Sequence, residues 1–199
     1  MADDLEPSTS GIRTEASPSG RGGEPVLRQV PPPGLRDKAL RLIWNAVWLL
    51  LYRWSPVPLY CWRRFLLRAF GATIGKDAHP YPTARTWAPW NLTMGDRSCL
   101  GPGVDCYSAA PVILGADSIV SQRAYLCTAS HDIRDPNFSL ILGAITIEKG
   151  AWVAAEAFVG PGVTVGKRAV VGARAVVTHD VQAEMIVVGN PARVVGHRT

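Results

Sequence analysis

The stretch IEKGAWVAAEAFVGPGVTVGKRAVVGARAVV, residues 147–177, decides the fold. Within it Ile147, Val153, Val159, Val165, Val171 and Val177 recur every six residues. Four places after each of the first five stands a small or β-branched residue: Ala151, Ala157, Val163, Ala169 and Ala175. An α-helix needs an apolar period near 3.6 and a half-buried strand needs 2, so a sustained period of six fits neither alone. It fits a chain that turns a corner every six residues. Each hexad supplies a short strand and a turn, the aliphatic side chain fills the interior, and three hexads close one triangular coil. Such coils bury their apolar edge only by stacking on their neighbours.

Working back toward the N-terminus, the same spacing appears in Met94-Gly95 and Leu100-Gly101 and again in Leu114, Val120 and Leu126, with Ile141 read as leading into the main series. The breaks between these runs mark loops. The main domain is therefore expected to be all-β, a parallel β-helix over residues 71–199. Spacing does not give its handedness, since parallel crossovers are ordinarily right-handed.

Residues 1–34 are rich in Ser, Gly, Pro, Glu and Arg and poor in large apolar side chains, a composition that predicts a disordered tail. Residues 35–70 carry apolar positions at helical spacing, interrupted near Ser55-Pro56-Val57-Pro58, so two helices are expected. The uncharged run from Leu42 to Tyr52 is eleven residues long and as a helix would span roughly 16 Å, too little to cross a bilayer. Trp44, Trp48, Trp54 and Trp62, interleaved with arginines, suit either helices lying in a headgroup layer or a cap packed on the main domain.

The formal net charge of +5 is concentrated in this segment, in Arg36, Lys38, Arg41, Arg53, Arg63, Arg64 and Arg68, which is no nucleic-acid footprint spread over a folded face. Cys61, Cys99, Cys106 and Cys127 are too irregularly spaced for a metal knuckle, and no cleavable leader is evident, so reduced thiols and a cytoplasmic protein are expected.

One histidine coincides with a failure of the repeat. His131 opens a polar, proline-containing excursion from about Ser130 to Leu140, and loops extruded from a rigid solenoid are where active sites are built. Histidine is the side chain suited to removing a proton near neutral pH. His79, His179 and His197 lie elsewhere, so the three converging ligands of a zinc hydratase are missing and no metal is expected. Cys127 fits the repeat as a small apolar residue beside Leu126 and is not needed as a nucleophile.

Four stretches, LCTASHD (126–132), AWVAA (151–155), VGPGVTVG (159–166) and VGNPARV (188–194), give residues from about Phe70 to Val195 a resemblance to the hexapeptide-repeat sugar O-acetyltransferases, the group with galactoside and maltose acetyltransferases, and within it to the colanic acid biosynthesis acetyltransferase family. The resemblance implies a left-handed β-helix, acetyl-CoA as donor, a homotrimer, and direct acetyl transfer to a saccharide or lipid-linked saccharide hydroxyl with His131 as base. It further implies a supporting or acceptor-contacting role for Asp105, with Asp132 as the alternative. Trp152, Ala155, Ala173, Thr178 and Arg193 match coenzyme-lining positions, while His179 stands where relatives often carry lysine. A non-catalytic solenoid serving as scaffold or membrane-associated partner is the competing expectation, because the coil alone does not specify function.

Overall fold

The computed structural model describes residues 27–29 and 34–199. Parallel strands stack into three faces of a triangular solenoid with five full coils and a partial sixth. The first face carries Thr73–Ile74, Leu92–Met94, Val112–Leu114, Ile145–Ile147 and Thr164–Val165. On the second lie His79–Pro80, Cys99–Leu100, Ile119–Val120, Trp152–Val153, Val170–Val171 and Met185–Val188, closed by the antiparallel strand Arg193–His197. The third holds Arg85–Thr86, Asp105–Tyr107, Tyr125–Cys127, Phe158–Val159 and Val176–Val177.

The register follows the hexads: Ile147 lies beside Val165, Val153 beside Val171, and Val159 beside Val177. All six aliphatic positions, and Ala151, Ala157, Val163, Ala169 and Ala175 at the corners, are buried in one continuous core with Met94, Leu100, Leu114, Val120 and Leu126. Ile141 does not lead the series. It sits in a strand outside the solenoid, Leu140–Leu142, and Ile145 and Ile147 both enter the core in its stead.

At the corners the backbone repeatedly takes a positive φ, at Arg97 (55°), Asp117 (61°), Arg123 (58°), Glu156 (59°), Arg168 (59°) and Arg174 (59°). These charged residues stack by sign: Arg97 bridges Asp117 at 2.6 Å, and Glu156 lies between Arg123 (3.4 Å) and Arg174 (2.6 Å).

The helical segment caps the first coil. Helix α1, Leu35–Val47, runs on through a wider turn at Trp48–Tyr52, and α2 spans Tyr60–Ala69. Trp44 is 1% exposed and donates Nε1–H to the Thr86 carbonyl at 2.7 Å; Trp48 donates to the Ala84 carbonyl at 2.9 Å. Arg63 is fully buried between the two helices and the first coil. Its guanidinium donates to the carbonyls of Pro80 (2.6 Å), Pro56 (2.8 Å) and Val57 and to Ser55 Oγ (2.9 Å), tying the proline-broken turn to the first coil. Arg64 and Arg68 similarly bond the carbonyls of Ala78 (3.1 Å) and Ile74 (2.6 Å). Half of the tryptophan- and arginine-rich face is thus a packed cap. The other half, with Leu42, Ile43, Leu50, Trp54 and Phe65, is exposed.

Among the described residues no helix is long and apolar enough to cross a membrane, and the four cysteines are free thiols. The expected disordered tail falls mostly on residues 1–26 and 30–33, outside the described residues. Arg28–Gln29, inside that expectation, instead form a strand antiparallel to Ile141–Leu142, because the hairpin there offers an open edge.

Candidate active site

The solenoid is interrupted where the third face turns into the first, between Cys127 and Ile145. Thr128 anchors the departure: fully buried, it donates Oγ1–H to the Tyr107 carbonyl at 2.6 Å and accepts the Ala110 N–H at 3.0 Å. The chain returns at Gly143, whose N–H bonds the Thr128 carbonyl at 2.9 Å. A Cβ on Gly143 would lie 2.4 Å from the Gly162 nitrogen, so only glycine lets the loop base seat against the next coil. Between these points Ala129–His131 and Leu140–Leu142 form an antiparallel hairpin pairing His131 with Leu140.

The hairpin tip is organised by its own polar side chains. Asp132 Oδ1 accepts the Arg134 N–H (2.9 Å), Asp135 Oδ1 accepts the Asn137 N–H (2.9 Å), and the Ser139 hydroxyl donates to Asp135 Oδ2. These bonds hold the Asp135 carboxyl below the usual carboxylate range. Phe138 is thereby held at φ +50°, a left-handed conformation rare for a bulky residue. Its ring stacks on the His131 imidazole with centroids 4.4 Å apart and planes 7° from parallel, and its carbonyl lies 2.7 Å from His131 Nδ1.

A carbonyl oxygen can only accept, so neutral His131 carries its proton on Nδ1 and leaves the Nε2 lone pair free. The imidazole is exposed and has the tautomer of a general base. Neither candidate carboxylate performs this orientation. Asp132 caps the loop backbone, and Asp105 stands on the third face between Arg85 and Tyr125, with no hydrogen bond to His131. Burial raises the Asp105 pKa, partly offset by the Arg85 guanidinium. The Phe138 carbonyl is not legible in the sequence because a backbone acceptor leaves no residue-type signal.

Two coil edges carry the remaining expected residues. Trp152 projects from the second face, 43% exposed, its Nε1–H donating to Ser121 Oγ at 2.8 Å. Ala155 and Ala173 occupy successive turns between the second and third faces, linked by the bond from Arg174 N–H to the Ala155 carbonyl (2.9 Å). Arg193 lies exposed beyond them, at the start of the closing strand that is tied to Val176 through the adjacent Ala192 N–H (2.9 Å). Thr178 sits across the third face on the edge that bears the His131 loop, its hydroxyl 3.0 Å from His179 Nδ1. With strands about 4.8 Å apart, it is two coils, roughly 10 Å, from the loop base.

Trp87 and Tyr107, with rings 4.9 Å apart, form an aromatic pair at the same edge, and Arg41 lies 5.2 Å over the Trp87 ring. The Trp87 indole N–H is buried without a hydrogen-bond partner among the described residues. Cys127 donates Sγ–H to the Ala129 carbonyl at 3.2 Å, a packing role. The remaining histidines are dispersed: His79 packs edge-to-face against Tyr60 of α2, and His197 lies in the closing strand. No group of three potential metal ligands occurs among the described residues.

Comparison with known proteins extends these observations. The chain is 42% identical over 169 residues, 84% of its length and 93% of the relative's, to an Escherichia coli K12 protein named as a colanic acid biosynthesis acetyltransferase. It is 24% identical to the galactoside O-acetyltransferase of the same organism over 136 residues, 67% of each chain. Among solved structures, a hexapeptide-repeat acetyltransferase from Vibrio cholerae in complex with acetyl-CoA superposes with a TM-score of 0.73 at 25% identity, covering 83% of this chain and 90% of that one. No family model matches the chain.

Proposed function

Since this chain belongs to the hexapeptide-repeat acetyltransferases, in the family of the colanic acid biosynthesis acetyltransferases, and is thus an acyltransferase, we propose that it transfers acetyl from acetyl-CoA directly to a saccharide hydroxyl with His131 as general base. The observation that carries this reading is the bond between His131 Nδ1 and the Phe138 carbonyl, which leaves Nε2 as a fixed, exposed proton acceptor. Nε2 removes the hydroxyl proton as the oxygen attacks the thioester carbon, giving a tetrahedral oxyanion. Its collapse expels the coenzyme thiolate, which takes the proton back from the imidazolium, so the products are an acetyl ester and coenzyme A. No covalent enzyme intermediate is needed.

The donor contacts are divided between the two coil edges: Trp152 flanks the pantetheine arm, Ala155 and Ala173 permit close approach and Arg193 supplies a guanidinium to phosphate, while Thr178 offers a hydroxyl on the edge that bears His131. The Trp87–Tyr107 pair is a suitable platform for a pyranose ring, and Asp105 a suitable acceptor for its hydroxyls. Exposed Ile113, Ile119 and Tyr125 on the solenoid faces favour assembly, and a homotrimer is the state we assign. The test is coenzyme A release against a panel of sugars and sugar nucleotides, with wild type beside His131→Ala. Acceptor-dependent release lost in the variant at unchanged melting temperature supports the reading; release that survives the substitution refutes the base assignment.

The exposed half of the cap favours a lipid-linked exopolysaccharide precursor as acceptor, met at the inner face of the cytoplasmic membrane. Leu42 (72%), Leu50 (69%) and Trp54 (73%) are largely exposed, Arg53 lies over both Trp48 and Trp54 at 5.5 Å, and the only acid of α1, Asp37, is paired with Arg41. Apolar side chains rimmed by the exposed Arg36, Lys38 and Arg53, which form no ion pair among the described residues, suit an anionic lipid surface. Flotation with anionic vesicles that is lost in Leu50→Asp/Trp54→Asp supports this; concentration-dependent self-association through the same residues, without flotation, assigns the face to a second copy instead.

A further inference from the structure

Residues far from His131 in sequence lie against the hairpin that carries it. The sheet at the solenoid corner has the order Arg28–Gln29, Leu140–Leu142, Ala129–His131, with Arg28 opposite Leu142 and Gln29 opposite Ile141. Leu140–Leu142, the strand whose pairing fixes the register of His131, is therefore central and gains its second neighbour only from the N-terminal segment. Leu27 reaches over the loop base, with Cδ2 at 2.8 Å from where a Gly143 Cβ would stand.

The hairpin needs such support. A two-stranded hairpin is at best marginal in water, whereas a third strand makes the sheet cooperative. Ser130 and His131 of the outer strand are exposed, so that strand adds little to the solenoid core. In sequence the supporting segment precedes α1, and Trp44 of α1 and Trp48 just after it are tied to the first coil.

We infer that Leu27–Gln29 form a positioning strap: their backbone pairing with Leu140–Leu142 holds the catalytic hairpin, and hence His131, in its productive place. The inference rests on the proposed role of His131 as base. A displacement near 1 Å at a catalytic group costs on the order of a hundredfold in rate, so a loosened hairpin is read in turnover while the solenoid stays folded.

The test uses the full chain. In Arg28→Pro/Gln29→Pro both backbone N–H groups are lost and pairing is broken; in Arg28→Ala/Gln29→Ala the side chains are removed and pairing is kept. The proline variant is expected to lose about ten- to a hundredfold in kcat, with KM for acetyl-CoA changed less than about twofold. Its melting temperature should stay near wild type, and amide exchange at residues 129–131 and 140–142 should quicken. The alanine variant should behave as wild type in every respect. Unchanged exchange in the proline variant overturns the strap, as does unchanged kcat, and an equal kcat loss in both variants would assign the effect to side chains. Where wild type itself transfers to no acceptor, the acetyltransferase reading fails separately, and exchange alone decides the strap.

Discussion

His131 and Phe138 act as one unit: the imidazole lies flat on the phenyl ring, 7° from parallel, and its Nδ1–H points at the carbonyl of that same phenylalanine, 2.7 Å away. Both contacts depend on the φ of +50° at Phe138, which swings its carbonyl back toward the hairpin's other strand. Local strain of this kind persists only where neighbouring bonds over-determine it. Here the Asp135–Ser139 and Asp135–Asn137 bonds do so.

Proline at position 138 cannot adopt that φ. Phe138→Pro should therefore misdirect the carbonyl, release the His131 tautomer and lower kcat by about 10²-fold, the lower end of what a general base contributes. Phe138→Gly, which adopts the conformation without strain, should retain most of the activity despite losing the stack. Steady-state coenzyme A release by the two variants checks this; equal losses would mean that the ring, not the carbonyl, orients His131.

The loop base predicts a second effect. Gly143→Ala places a methyl 2.4 Å from the Gly162 nitrogen and 2.7 Å from its Cα, both rigid backbone. Relief requires the hairpin to shift, at about 1–3 kcal/mol. Thermal unfolding should show that loss, and kcat should fall with it, whereas Ala144→Gly one residue on should be mild.

Asp135 ties the hairpin to pH. Its folded pKa lies below the ordinary 3.8, so its contribution to loop order is present above about that pH and disappears as pH falls through the lower folded value. Amides at 134–139 should exchange faster in the acid range, relative to intrinsic rates, before the solenoid unfolds. In Asp135→Asn the tip should be looser at neutral pH and this acid-dependent change should be absent.

Arg63 is the fixed point of the cap. Arg63→Met leaves the Pro80 carbonyl without its donor at a buried site and removes a tie to the exposed Pro56–Val57 turn, so a loss of about 1–3 kcal/mol is expected in chemical denaturation. Arg53→Met, at an exposed site, should change stability by less than about 0.5 kcal/mol.

The solenoid was legible because each interior position admits one kind of side chain: Val153, Val159 and Val165 all face the same enclosed space, and the chain must return to it every six residues. His131 stood out for the converse reason, at the place where that return fails. Ile141 misled because a six-residue interval can occur by coincidence across a loop, and spacing alone does not reveal that the chain has left the coil. Arg63 could not be told from Arg53, since composition does not say which arginine turns inward. Phe138 was silent because its contribution is a backbone oxygen in an unusual conformation.

The stacked corner charges have a consequence for assembly of the coils. Hexads that resemble one another could pair one coil out of place with little loss of apolar contact, because Val is then exchanged for Val. The corners distinguish the coils that the interior does not. With Glu156 between Arg123 and Arg174, a slip bringing those two arginines together would set cation against cation, and one that parted Asp117 from Arg97 would break their ion pair. The charged turns thus act as an address for each coil, and their value lies less in the stability of the correct stack than in making the wrong stacks distinguishable from it.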